Sequence, residues 1–252
     1  MIPSEKAELP NNGDEQENIP AEMMYEFGTP LAQGEQVEDG FFDSAVFLGD
    51  SRTEGLQLYS GLKRGKYLWY RGAFIYVADD PRYAVFDTGG GKGTMLEALA
   101  QNQHDAVYIM AGINELGNTP KRFEAALKKF VDKVMLAQPE AVIYLQTIPP
   151  VNDALVRSSG QREFVANSGI DAFNEVIVRV AKEMRVLLLD VAEVYRGEDG
   201  QLPEELTRDG CHFKAKYYAR WADYLRCHVM DAETYHRQRW AQAGAAGEQE
   251  AA

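Results

Sequence analysis

Short, unbroken apolar runs alternate along this chain with longer amphipathic stretches. The runs at 44–48, 106–110 ("AVYIM"), 141–146 ("AVIYLQ") and 186–189 ("VLLL") have no polar alternation. Runs of this kind predict strands buried on both faces. The stretches at 53–59, 93–101, 120–136, 164–184 and 214–228 predict helices. In the fourth, Phe173, Val176, Ile177 and Val180 recur on one helical face. Thr119 and Pro120 supply a cap and a first-turn proline for the third. Residues 67–77 read as β-rich, and 83–86 as a strand pairing with their end in a hairpin. Apolar strands separated by helices predict an α/β domain with a parallel sheet covered on both faces. Such sheets bind ligands at the carboxyl ends of their strands, so the residues just after each strand carry the most information.

The flanks follow neither pattern. Residues 1–40 are rich in Pro, Gly, Glu, Gln and Asn and read as a solvated linker or weakly ordered arm. They hold ten acidic residues and one lysine, hence −9 of the chain's net charge of −13. The acidity is therefore mainly a property of this arm, and it argues against nucleic acid as a partner. An arm of this kind resembles a tether left after removal of a signal or membrane anchor, which places the protein outside the cytoplasm. Residues 233–252 read as a disordered tail, leaving 41–232 as the folded domain. No apolar run approaches the roughly 18 residues a membrane span needs. Cys211 and Cys227 are too few for a disulfide scaffold and form either one bridge or two free thiols.

The strand ends carry candidate chemistry. Ser51 follows the first strand in "FLGDS", at the start of a predicted helix. Acyl transfer needs a nucleophile, a base, a group orienting that base, and donors for the oxyanion. A serine at a helix N-terminus can attack, and its own N–H can donate. Asn114, after "AVYIM", offers a side-chain amide, and Gly72 can bring a backbone N–H close because it lacks a Cβ. Of four histidines, His104 precedes its strand, and His228 and His236 lie at or beyond the last helix. His212 alone lies in a loop that can return to the strand ends, with Asp209 three residues earlier to accept its Nδ1 proton.

Together, "FLGDS" with Ser51, "YRGAF" with Gly72, "GINE" with Asn114 and "DGCH" with Asp209 and His212 resemble the four blocks of the SGNH, or GDSL-type, hydrolases. The resemblance covers residues 43–230. It implies a three-layer α/β/α, flavodoxin-like fold and esterase or lipase activity. By position it makes Ser51 the nucleophile, His212 the base and Asp209 its orienter, with Ser51, Gly72 and Asn114 as the oxyanion hole. Two positions depart from the family pattern. Glu115 stands where an aspartate is usual, which alters local packing, and Arg52 replaces a leucine. A cation there either binds an acidic group on the substrate or is solvated.

Other features read as structural. "TGGGKGT" at 88–94 lacks phosphate-loop spacing and reads as a flexible loop at the rim of the site. No His/Cys/Asp/Glu cluster has zinc spacing, so no metal or cofactor is expected. A Cys211–His212 dyad is not expected, since neighbouring side chains of an extended loop diverge. Trp69, Tyr70 and Phe74 line either an acyl or sugar pocket or the core; Trp221 reads as core, and Glu193, Glu198 and Asp199 as solvated. The expected activity is serine ester hydrolysis through an acyl-enzyme. Short acetyl esters are expected, those of glycans among them, because no lid shelters a fatty chain. The alternatives are an O-acyltransferase acting on a glycan and a non-catalytic binding module that kept the fold.

Overall fold

The computed structural model describes residues 24–160 and 164–250, with side chains given as far as residue 242. Five parallel strands form the sheet: β1 (Ala45–Gly49), β2 (Lys66–Trp69), β5 (Ala106–Ile109), β6 (Val142–Gln146) and β7 (Leu187–Leu189), in the order β2-β1-β5-β6-β7. Helices cover both faces: α1 (Ser51–Tyr59), α2 (Met95–Leu99), α3 (Pro120–Ala137), α4 (Asp153–Ser158), α5 (Asn167–Met184), α6 (Ala219–Cys227) and α7 (Ala232–Glu250). A small antiparallel pair, β3 (Phe86–Asp87) with β4 (Lys92–Gly93), stands apart from the sheet. This is the three-layer α/β/α fold the sequence implied.

The unbroken apolar runs divide their side chains between two cores. Val46, Leu48, Val107, Ile109, Ile143 and Leu145 face α2, α3 and α5, where Phe123 and Phe173 stack at 4.2 Å. Phe47, Tyr108 and Tyr144 face α1 and α6. In-register pairing aligns Tyr67, Phe47, Tyr108 and Tyr144 across four strands as a ladder of stacked rings 4.5–4.8 Å apart. Cross-strand aromatic pairs of this kind stabilise a sheet beyond simple burial.

Several boundaries differ from the sequence expectation. Of residues 67–77, only the start is strand. The chain leaves β2 through a turn at Gly72, whose φ of +72° lies in the left-handed region that glycine tolerates. The hairpin pairs Phe86–Asp87 with Lys92–Gly93, so the glycine-rich loop is its turn, and residues 83–86 do not pair back onto β2. α4 was not anticipated, and the long helix starts at Asn167.

The flanks are corrected where they are described. Residues 24–40 are not a free arm. Phe27 and Leu31 are buried, Pro30 bridges Leu188 in parallel, and Leu31 N–H donates to the Leu188 carbonyl at 2.8 Å. This segment covers the outer edge of β7, which would otherwise present unpaired backbone groups. The start of the expected tail is helical: Tyr235 is buried and its hydroxyl donates to the Arg185 carbonyl. Gln238 accepts from Tyr25 N–H, which joins the two flanks. Residues 1–23, and with them the tether reading, lie outside the described residues. Among the described residues, no helix is long and apolar enough to cross a membrane.

Candidate active site

Strand order reverses between β1 and β5, and in open α/β sheets ligands bind in the crevice at that switch point. β1 delivers Gly49, Asp50 and Ser51 to it. Asp50, not Ser51, caps α1: its Oδ1 accepts from Arg52 N–H at 2.8 Å. Ser51 is therefore the first helical residue, with an N–H that has no partner within the helix and a hydroxyl free for other work. Gly49 cannot carry a side chain, because a Cβ there would lie 2.1 Å from Thr53 Oγ1 and 2.9 Å from the Met110 carbonyl.

Ser51 Oγ lies 2.9 Å from His212 Nε2, and His212 Nδ1 lies 2.7 Å from Asp209 Oδ2. The structure thus joins alcohol, imidazole and carboxylate across 161 residues of chain. The loop that carries the last two is built around Asp209. Its Oδ1 accepts from Cys211 N–H at 2.9 Å and His212 N–H at 2.8 Å, and Thr207 Oγ1 donates to the His212 carbonyl at 2.7 Å. Burial pushes the Asp209 carboxyl up, but the imidazole and these N–H groups outweigh it and hold the group well below the usual carboxylate range. Asp209 is thus ionised at any working pH and can accept the Nδ1 proton.

α4 seats this loop. Gly210 has φ +84°, and a Cβ would meet Val156 N at 2.5 Å and the Asn152 carbonyl at 2.7 Å. Asn152 N–H donates to the Gly210 carbonyl at 2.8 Å, and Ser159 Oγ to the Asp209 carbonyl at 2.8 Å.

Arg52 neither faces substrate nor is solvated. Its side chain is buried, with Nη1 donating to the Pro149 carbonyl at 2.9 Å and Nη2 to the Cys211 carbonyl at 3.1 Å. It clamps the Asp209–His212 loop to the chain beyond β6. The sequence showed a cation beside the serine but not its direction, because helical geometry turns adjacent side chains to different faces. Cys211 is buried beside Arg52, and Cys211 and Cys227 are free thiols.

Asn114 lies in the turn that follows β5. Its Nδ2 donates to Asp50 Oδ2 at 3.1 Å and to the Ala73 carbonyl at 3.2 Å. Both amide hydrogens thus hold the serine strand and the Gly72 turn together. Gly72 owes its identity to its left-handed backbone rather than to a close neighbour, since nothing lies within 4 Å of where a Cβ would sit. Glu115 completes the junction. Its carboxylate accepts from Ile75 N–H at 2.7 Å and Gly112 N–H at 3.1 Å, although the residue is buried. One methylene longer than aspartate, it spans from the β5 loop to the segment after Gly72.

Burial raises the Glu115 carboxyl from 4.5 to about 7, with the Asp50 charge adding to the effect. The folded state therefore binds this proton more tightly than the unfolded chain does. The stability contributed by Glu115 is complete below pH 4.5 and declines as pH rises toward about 7. Glu115→Gln is expected to flatten that decline, read as urea midpoints between pH 4.5 and 7.5.

The remaining histidines are structural. His228 Nδ1 pairs with the Tyr224 carbonyl, His236 Nε2 pairs with the Glu140 carbonyl, and His104 sits at the opposite edge of the sheet. Trp221 is core, its indole donating to Gln146 at 2.8 Å. Glu193, Glu198 and Asp199 are exposed. Trp69 bonds Gln57, and Tyr70 packs against Tyr83 and Phe86. Phe74 lines a small apolar cavity of about 20 Å³ with Gly49, Ala73, Met95 and Met110. Among the described residues, no group of His, Cys, Asp or Glu is arranged to hold a metal.

Comparison with known proteins agrees with this architecture. A candidate platelet activating factor from Streptococcus pneumonia superposes with a TM-score of 0.56 at 22% identity, over 73% of this chain and 82% of that one. A GDSL-like lipase from Bacteroides thetaiotaomicron gives 0.54 at 17%, over 79% and 89%. A candidate lipolytic protein of the G-D-S-L family from Desulfitobacterium hafniense gives 0.53 at 19%, over 74% and 99%. At these identities the likeness is one of fold. No curated protein sequence matches the chain. The model of the GDSL-like lipase/acylhydrolase family matches residues 47–220, more than half of the chain, from within β1 to the start of α6. The chain therefore belongs to the GDSL-like lipase/acylhydrolase family and is an ester hydrolase.

Proposed function

We propose that the protein is a serine esterase that works through an acyl-enzyme on short, acetyl-type esters, those of carbohydrates among them. The Ser51–His212–Asp209 chain of hydrogen bonds, at 2.9 and 2.7 Å, carries this reading. His212 Nε2 takes the Ser51 proton as Oγ bonds to the ester carbonyl carbon. The same proton passes to the leaving alcohol as its C–O bond breaks. Water, deprotonated by His212, then attacks the acyl-enzyme, and Ser51 regains its proton. Asp209, held ionised by its N–H donors, fixes the imidazole tautomer and stabilises the imidazolium.

The oxyanion is assigned to the N–H groups of Ser51 and Gly72 and to the Asn114 amide. Asn114 holds Asp50 and the Ala73 carbonyl in the resting site, so donation to substrate requires the bond to Ala73 to yield. The Gly72 turn next to Ala73 lies outside the sheet. Asn114→Ala is expected to reduce kcat/KM by an amount equivalent to about 2.7–4 kcal/mol of barrier, read with p-nitrophenyl acetate.

Two observations favour short acyl groups. The apolar cavity beside Gly49 and Ala73 is small, about 20 Å³. The larger groove beside Ser51 has charged and aromatic walls. Fluorophosphonate labelling of Ser51 followed by a series of p-nitrophenyl esters from acetate to decanoate tests the reading. Labelling with a rate that falls as the acyl chain lengthens supports it. An unlabelled, inactive protein rejects the esterase, and a preference for decanoate rejects the short acyl group.

A further inference from the structure

A groove of about 340 Å³ opens beside Ser51 and His212. Its position identifies which part of the substrate it receives. His212 Nε2 must return its proton to the leaving oxygen, so that oxygen lies within hydrogen-bond reach of the same nitrogen. The alcohol half of the ester therefore leaves through the space that His212 borders.

The walls of this groove have two characters. On one side, Leu58 and Tyr59 at the end of α1 are 49% and 53% exposed, and the Tyr59 ring tilts against Tyr218 at 5.9 Å. These are large apolar groups held in water beside the reacting serine. On the other side, Arg71 Nε and Nη2 donate to the two Glu54 oxygens at 2.7 and 2.8 Å. Hydrogen bonds from Arg71 hold the Glu54 carboxyl below its ordinary range, so the pair stays ionised and mutually neutralised. Arg71 is thus a poor anchor for an anionic alcohol. A fatty alcohol would strip water from the ion pair without replacing its hydrogen bonds. A sugar ring meets both demands, with a flat C–H face for the tyrosine and hydroxyls for the ion pair.

We propose that this groove seats the sugar of an acetylated saccharide, with Tyr59 as the stacking platform and the Arg71–Glu54 pair as the hydroxyl-binding wall. The proposal rests on the serine-esterase reading and names the alcohol side of that site. Methyl 6-O-acetyl-glucopyranoside and ethyl acetate, which share an acyl group but not a ring, separate the two ideas in the full chain. The wild type is expected to prefer the sugar ester. Tyr59→Ala is expected to lower kcat/KM for the sugar ester about tenfold more than for ethyl acetate, mainly through KM. Tyr59→Phe keeps the ring and is expected to retain the wild-type ratio. Tyr59 is half exposed, so a general loss of packing would lower both substrates together, and that result overturns the proposal. Equal wild-type rates on the two esters also overturn it while leaving the esterase intact. A wild type that hydrolyses neither ester and takes up no fluorophosphonate overturns the esterase reading, and this one with it.

Discussion

Ser51→Ala is expected to lower kcat by about a millionfold, the loss seen when a serine nucleophile that acts as one unit with its base is removed. His212→Ala should cost about as much, and the double variant little more, because each removes the same proton-relayed attack. Asp209→Asn keeps the geometry but turns a donor toward Nδ1 in place of an acceptor, and about a 10⁴-fold loss is expected. Steady-state hydrolysis of p-nitrophenyl acetate measures all four proteins. Their melting temperatures should separate chemistry from folding: among the described residues the Ser51 hydroxyl bonds the imidazole alone, so its alanine variant should melt like the wild type. If Ser51→Ala turned over at the wild-type rate, the nucleophile would lie elsewhere. Asp209 also bears on the pH profile. Its lowered carboxyl contributes stability above about pH 3.8 and loses it only as pH falls further, so it does not set an activity limb near neutrality.

Arg52→Met is expected to destabilise the fold by about 2–6 kcal/mol, the cost of leaving two buried carbonyl acceptors without their charged donor. The two carbonyls are those of Pro149 and Cys211. Burial pushes the nearby Asp50 carboxyl up and the Arg52 charge opposes that push, so its removal adds to the loss. Urea unfolding at unchanged m-value reads the loss as a lower midpoint. Adding Asp50→Asn to Arg52→Met should recover part of it, because the buried carboxyl that Arg52 favoured in its charged form is then gone. The double variant should remain a poor enzyme, because the Cys211 carbonyl anchors the loop that holds Asp209 and His212 beside Ser51. A solvent-facing Arg52 would have produced an effect near zero, so this variant discriminates sharply between a clamp and a surface cation.

The buried strands were legible because a strand covered on both faces has one option at every position. The runs at 106–110 and 141–146 accordingly match β5 and β6 within a residue or two. Residues 67–77 misled because they are equally rich in aromatic and β-branched residues, yet a single left-handed glycine turns the chain out of the sheet. The flanks misled for a related reason. Residues 24–40 have too few apolar positions for a period, yet Phe27 and Leu31 suffice to cover the β7 edge once that edge exists. Ser51, Asp209 and His212 stood out because position relative to strand ends leaves few candidates. Asp50 was overlooked as the cap because the serine beside it is an equally good capping residue.

By itself, the sequence determined the alternation of buried strands and helices, the strand ends that carry chemistry, and which serine, histidine and aspartate are available there. Those follow from local periodicity and from the requirement that a fully covered strand be apolar. Only the tertiary structure decided where Arg52 points, that Glu115 ties the β5 loop to the segment after Gly72, and that α4 seats the Asp209–His212 loop. Each of these depends on buried polar groups finding partners far away in the chain. A buried donor must be satisfied, but nothing in its neighbours in sequence says by what.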